Sequence, residues 1–391
     1  MGVRNLIATV SIVHDDPHVA AKEAIFELTD RLGQPPAIVL LFFSAEFPAQ
    51  AIRDGVWSAL DPTTVVVGCS SSAELGPDGA LIHSVTALGM CLPGYRAQAL
   101  SVPGGPDSFA IGQQLVDSVQ SPKPDLLLLF PDVLTVNATR LLLGIQSRLG
   151  AKFPVLGGAA ADMGTFKQVE LLHGKEILRS GAVALALFGP VTLSAAACSG
   201  YSPVSVPLQA TRVDNGNILI ELDGKPALTT YLEQLGPRKS EMPGVTIEYP
   251  IGVVSRISGK TEVQTELVRA VFGINEQREA LILGGDIPER AELCILSATR
   301  NDVLTGTQTA VQTALTGSAN AELALLFNCV SRKVILGPRY KEEYSVVDSV
   351  LPKSLPRIGF YTFGELSPVA AVTHHHESTF TIALIHFGTA K

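Results

Sequence analysis

Apolar and polar positions in this chain follow two alternating periods. Short apolar runs recur at Leu6–Val13, Ala37–Phe43, Thr63–Val67, Asp125–Phe130, Phe153–Leu156, Gly181–Phe188, Val191–Cys198, Leu323–Phe327 and Thr379–Phe387, and each predicts a buried strand. Between them the period changes to that of a helix. Ala21, Ile25, Leu28 and Leu32 fall on one face of His18–Leu32, which Gly33 and Pro35-Pro36 bring to an end. Pro48–Leu60, Phe109–Val119, Asn137–Leu149 and Ala227–Leu235 read the same way, as does a helix that Asp302 is placed to cap. Ser84–Leu92 with Tyr95–Val102, and the run from Ala182 to Cys198, read as hairpins.

The elements repeat as well as alternate. Segments 40–74, 126–162 and 325–365 share one grammar: apolar strand, helix or long connection, strand, glycine, small residues, carboxylate. Trp57–Pro77 laid on Asp348–Pro368 without a gap matches six of twenty-one positions, among them Gly68 with Gly359, Glu74 with Glu365 and Pro77 with Pro368. The expected class is α/β, with duplicated mixed β-sheets covered by helices in two pseudo-equivalent halves. The Ser-, Pro- and Gly-rich stretch Gly200–Asn217 is the expected passage between them, giving regions 1–200 and 201–391.

Composition narrows the function. The chain has 391 residues, 46% hydrophobic and 17% charged, more than one ordinary core holds. Mean hydropathy is +0.30, yet no apolar run reaches the roughly 18–20 residues of a membrane helix, so no membrane insertion is expected. The N-terminus meets acid too early for a secretory signal, and Gly2 is followed by Leu6 where a myristoylation pattern needs Ser or Thr. A net charge of −8 without basic clusters argues against nucleic acid as a partner. Five widely spaced cysteines point to a reducing compartment, hence the cytoplasm, without disulfides or a zinc motif.

Four motifs together resemble the FIST family (F-box and intracellular signal transduction). They are Gly68-Cys69-Ser70-Ser71-Ser72-Ala73-Glu74; Leu222-Asp223-Gly224-Lys225-Pro226-Ala227-Leu228 with Tyr231 and Leu235-Gly236; Phe327-Asn328-Cys329-Val330-Ser331-Arg332; and Gly359-Phe360-Tyr361-Thr362-Phe363-Gly364-Glu365. Ser331 and Ala73 stand where glycine is commoner in the family. The resemblance implies FIST N-terminal and C-terminal regions in a sensory protein that binds a small ligand, such as an amino acid or a relative of one. Some bacterial members are haem-binding nitric-oxide sensors. The chain has no room for a kinase, F-box or chemoreceptor segment, so signalling is expected to pass through a separate partner protein.

The expected pocket lies between the halves. Its cup combines Cys69, Ser70, Ser71 and Glu74 with Gly157, Gly158 and Asp162, with Asn328, Cys329 and Arg332, and with Tyr361, Thr362 and Glu365. Glu74 and Glu365 would hold a cationic group and Arg332 an anionic one; the alternative is that each glutamate caps its own turn. Cys69 and Cys329 are the thiols at strand ends, which keeps a Cys-dependent enzyme open, although no motif supplies its histidine. No Gly-x-Ser-x-Gly elbow, dinucleotide fingerprint or Walker pattern occurs. No metal site or cofactor is expected. Haem is the alternative, with an imidazole from His374, His375 or His376, set against a plain polar turn leading into the last strand.

Overall fold

The computed structural model describes residues 4–388 except 243, 257–262 and 319, so Gly2 lies outside the described residues. Three stretches of chain repeat one order of elements. The first holds β1 (Leu6–Val13), α1 (Pro17–Leu32), β2 (Ile38–Ser44), α2 (Ala49–Trp57), β3 (Val65–Ser71), β4 (Glu74–Gly76), β5 (Gly79–Leu81) and β6 (Ser84–Cys91). The second holds β7 (Arg96–Val102), α3 (Ser108–Asp117), β8 (Leu126–Pro131), α4 (Ala138–Leu149), β9 (Val155–Gly158), β10 (Leu171–His173), β11 (Glu176–Leu178) and β12 (Ala182–Phe188).

The third stretch opens with β13 (Val191–Cys198) and is interrupted at once by a separate module. That module holds β14 (Ser202–Pro203), β15 (Leu208–Asp214), β16 (Ile218–Leu222), β17 (Lys225–Pro226), α5 (Ala227–Leu235), β18 (Ile251–Arg256), β19 (Val263–Arg269), β20 (Val271–Asn275), β21 (Ala280–Leu283) and β22 (Glu292–Ser297). The repeat then resumes with α6 (Arg300–Thr316), β23 (Leu323–Cys329), α7 (Val330–Leu336), α8 (Tyr340–Val350), β24 (Arg357–Thr362), β25 (Glu365–Val369), β26 (Val372–His376) and β27 (Phe380–Phe387). The mixed-sheet α/β class expected from the sequence is the one found, and its three repeats are the three segments of shared grammar. Residues 1–200 carry two of them and β13 of the third; residues 201–391 carry the inserted module and the rest of the third.

Local chemistry explains the helix ends. The Asp16 carboxylate accepts from the amides of His18 and Val19, Pro17 takes the first helical position, and Gly33 stops α1 in the left-handed conformation. At α6 the cap is Thr299, and Asp302 is the reciprocal member of a capping box instead of the cap itself.

Each repeat forms a six-stranded mixed sheet. The orders β1-β6-β2-β3, β7-β12-β8-β9 and β13-β27-β23-β24 are equivalent, with the last two strands of each parallel. The remaining two strands come from another repeat. Hairpin β10-β11 completes the first sheet, β25-β26 the second and β4-β5 the third. The two hairpins expected at 84–102 and 182–198 are corrected here. Both sides of β6 are taken by β1 and β2, so β7 pairs with β12 in the next sheet. Both sides of β12 are likewise filled, and β13 pairs with β27. His374–His376 is also not a turn: it closes strand β26.

Gly68, Gly157 and Gly359 hold the same register position, opposite Leu41, Leu129 and Leu326. A Cβ on any of the three would come closer than 3.0 Å to the carbonyl oxygen of that leucine. Close strand approach therefore explains the glycine common to all three motifs. One residue beyond each leucine stand Phe42, Phe130 and Phe327. These rings, joined by Phe360, meet edge-on or tilted in one core shared by the three sheets. Alternate residues face outward, where α1 and α2, α3 and α4, and α6 and α8 cover the three sheets. The inserted module has a separate core around Tyr231, Leu219 and Ile295.

Candidate functional site

The glycine-ended strands lead into turns that lock one another. Ser70, Ala159 and Tyr361 are equivalent, two residues beyond each glycine. The Ser70 amide donates to the Glu170 carbonyl at 2.8 Å, and its carbonyl accepts from Ala161 at 3.0 Å. Ala159 makes the same pair with Gly364 and Phe363, and Tyr361 with Ala73 and Ser72. Six backbone bonds thus tie the three repeats together where the cup was expected. Its serines are committed as well: the Ser70 hydroxyl donates to Ala161 O, and Ser71 Oγ lies 3.1 Å from Phe43 O.

Glu74 and Glu365 keep the equivalence seen in the sequence. Glu74 accepts from Ser71, three residues before it, and from Ser84 at 2.5 Å. Glu365 accepts from Thr362, three residues before it, at 2.6 Å, and from the Thr379 amide at 3.3 Å. Both side chains are fully buried. Burial lifts Glu74 to about 7 against the pull of Ser71, Ser84 and nearby Lys333. Burial holds Glu365 well above the carboxylate range, with Thr362 and Arg332 opposing and Glu377 adding. Glu74 is held by two hydroxyls, and Glu365 by one hydroxyl and the Thr379 amide fourteen residues on, all within the same repeat.

The middle repeat has no such carboxylate. Leu171 stands at the register position of Glu74 and Glu365, opposite Cys69. Asp162 lies in the loop before it and accepts from the amides of Thr165, Phe166 and Lys167 and from the Thr165 hydroxyl. Burial raises its carboxyl, but those bonds outweigh it and the net shift is downward. Asp162 thereby fixes the loop that carries Phe166.

Arg332 is buried and committed. It donates to Glu343 at 2.6 and 2.9 Å, to Thr307 and Val303 at 2.8 Å, and to the Ser199 carbonyl. Asn328 at 2.5 Å and the Tyr361 hydroxyl at 3.1 Å complete the shell around Glu343. The expectation that Arg332 holds an anion meets a guanidinium whose three nitrogens are all bonded. Neighbouring Lys333 turns away from it, to Ser72 O at 2.6 Å.

A chamber of about 260 Å³ opens beside this cluster. Gly164 and Phe166 of the middle repeat, Thr246, Val271 and Phe272 of the inserted module, and Cys329, Ser331, Val334, Phe363, Glu377 and Ser378 of the third repeat line it. Of the sequence-designated residues only Cys329 is in its wall. Phe166 stacks on Phe363 at 4.4 Å and 17°, and Phe272 lies 5.6 Å from Phe166. Glu377 is 1% exposed; its Oε2 accepts from the Ala270 amide at 3.2 Å, and its Oε1 has no hydrogen-bond partner among the described residues. Burial lifts this carboxyl to about 7, with Arg269 opposing. Burial, reinforced by Glu365, pushes the Cys329 thiol far up, away from the thiolate a nucleophile needs. Glu377 was visible in the sequence as the acid after three histidines, before a buried strand; nothing local aimed it at a cavity.

The histidines divide. His375 is buried, with Nδ1 3.2 Å from the Thr139 hydroxyl. His376 is buried with Nε2 on the Ser367 carbonyl at 3.0 Å, and burial lowers it to about 4. His374 and His376 line a groove of about 730 Å³ between β13, β19 and β26. Haem ligation requires an available imidazole nitrogen. His374, half-buried and without a hydrogen-bond partner among the described residues, is the ring that fits. Among the described residues no group of three or more His, Cys, Asp or Glu is placed to hold a metal ion, and no helix is long and apolar enough to cross a membrane.

An uncharacterized protein of Mycobacterium tuberculosis H37Rv is 24% identical over 388 residues, spanning 96% of this chain and 98% of its own. One of Mycobacterium bovis is 23% identical over 383 residues, 94% and 96% of the two chains. The crystal structure of a cyanuric acid hydrolase from A. caulinodans superposes with a TM-score of 0.39 at 9% identity, covering 99% of this chain and 100% of that one. Family models match residues 37–225 as a FIST N domain and 227–368 as a FIST C domain. With both domains matched in order over most of its length, the chain belongs to the FIST family of sensory, signal-transduction domains.

Proposed function

We propose that this protein is a non-enzymatic sensor of the cytoplasm that binds a small polar, amino-acid-like ligand between its N- and C-terminal regions and passes the signal to a separate protein. The carrying observation is the 260 Å³ chamber itself, where Ser331 and Ser378 of the third repeat meet Phe166 of the middle repeat and Phe272 of the inserted module. The walls come from both matched domains and from the inserted module, so occupancy bears on how the three are held. Five free cysteines support the reducing compartment.

The test is native mass spectrometry of protein purified from its own cells, beside thermal shifts with a panel of small metabolites. An adduct of metabolite mass, lost in Glu377→Gln, supports the reading. A chain without adduct, whose melting no metabolite moves, overturns it. The haem reading rests on the groove beside His374: a Soret band lost in His374→Ala would install it in place of the first.

A further inference from the structure

The groove between β13, β19 and β26 is a cavity apart from the chamber, and it holds two histidines of one strand. In an extended strand, residues two apart share a face. His374 and His376 therefore project together into the groove, while His375 turns the other way, to Thr139 of α4. The His374 and His376 ring centres are 6.1 Å apart. One ion about 2.0–2.1 Å from a nitrogen of each ring sets the centres about 5–6 Å apart. His374 is half-buried and has room to turn through the difference.

The hydrogen bonding leaves suitable atoms free. His376 Nε2 lies 3.0 Å from the Ser367 carbonyl. A carbonyl only accepts, so Nε2 carries the proton and the lone pair is on Nδ1. A bond of this kind on the far nitrogen is what orients a metal-bound imidazole. His376 Nδ1 and both nitrogens of His374 have no partner among the described residues, and they are not sealed from solvent as His375 Nε2 is. Two side chains fall short of a complete coordination sphere, and a groove of about 730 Å³ has space for water to complete it. Two charges act on His374: Arg269 repels a cation, and Glu266, which lines the opposite wall on β19, attracts one. Imidazole suits zinc and its neighbours in the late first row, whereas magnesium and calcium take oxygen.

We propose that His374 and His376 bind one divalent ion of the zinc type in this groove, through His376 Nδ1 and a nitrogen of His374, with water in the remaining positions. The ion sits where the inserted module's β19 meets β26. The proposal goes beyond the ligand chamber and does not depend on it.

Calorimetry on the full chain, freed of metal with a chelator, tests this with zinc and magnesium chlorides. Zinc should bind as one equivalent at about micromolar concentration, and magnesium should not bind. His374→Ala should weaken zinc at least tenfold, and so should His376→Gln, whose amide nitrogen can still donate to Ser367. His386→Ala, outside the groove, should leave the affinity unchanged. Zinc should raise the melting temperature of the native chain and not that of His374→Ala. A chain that takes up no zinc overturns the proposal. Zinc binding that survives either groove variant is an adventitious ion only and overturns it equally. A Soret band lost in His374→Ala would give that ring to haem, and the proposal falls with it. None of these results bears on the chamber.

Discussion

The Ser84 hydroxyl lies 2.5 Å from a carboxylate oxygen of Glu74, and neither group is exposed to solvent. With Ser71 on the other oxygen, Glu74 sits among hydroxyls, and burial lifts it to about 7 despite Lys333. The native state then binds this proton more tightly than the unfolded chain. The group's contribution to stability is full below its unfolded value and is lost as pH rises through about 7. Glu74→Gln removes that dependence. Urea unfolding of both proteins at pH 5 and pH 8 should show the difference moving in the variant's favour by about 2 kcal/mol. A constant difference would mean that Glu74 is ionised throughout.

Gly359 has no room for a side chain, since a Cβ would collide with the Leu326 carbonyl. Gly359→Ala must separate two central parallel strands, so it should cost at least about 3 kcal/mol. Gly105→Ala, where a Cβ meets only Ile111 at 3.7 Å, should stay within about 0.5 kcal/mol. Chemical denaturation measures both.

Arg332 is a structural cation. Arg332→Ala leaves Glu343 buried beside Asn328 and Tyr361 without its counter-charge, and should cost about 3–5 kcal/mol. Ligand affinity, measured below the variant's unfolding temperature, should change less than threefold. A tenfold loss specific to anionic ligands would return Arg332 to the binding site.

The thiols should react in order of access. Cys198 is partly exposed, whereas Cys69, Cys294 and Cys329 are buried with thiols raised by burial. Alkylation at pH 8 followed by peptide mapping should label Cys198 first. Cys69, Cys294 and Cys329 should label only on unfolding. Rapid selective labelling of Cys329 would revive the Cys-dependent enzyme.

Much of this fold is local in origin and was legible for that reason. Strands such as Ile218–Leu222 and helices such as Ala227–Leu235 are written in neighbouring residues. The echo of Gly68 in Gly359 marked a packing constraint that every repeat shares. Pairing was not legible. Glu74 lies opposite Phe360 because a hairpin crosses to another repeat, and no pattern near either residue records it. Arg332 resembled a free cation because its partner Glu343 arrives only after α7 ends and α8 begins. Asp162 resembled a third member of the Glu74 and Glu365 set by spacing, yet register puts Leu171 in that place. The chamber was least legible, since Phe166, Phe272 and Glu377 meet from three separate stretches of chain.

Hairpin exchange has a consequence for how such a molecule can be divided. One repeat on its own would present the bare edge of a glycine-ended strand and carry a hairpin with nowhere to lie. It could satisfy both only by giving its hairpin to a second copy and taking one from a third, and the circuit closes at three. The 391-residue chain is that ring drawn as one covalent thread. Removing any third of it unzips a sheet in a part of the molecule that the cut never touches.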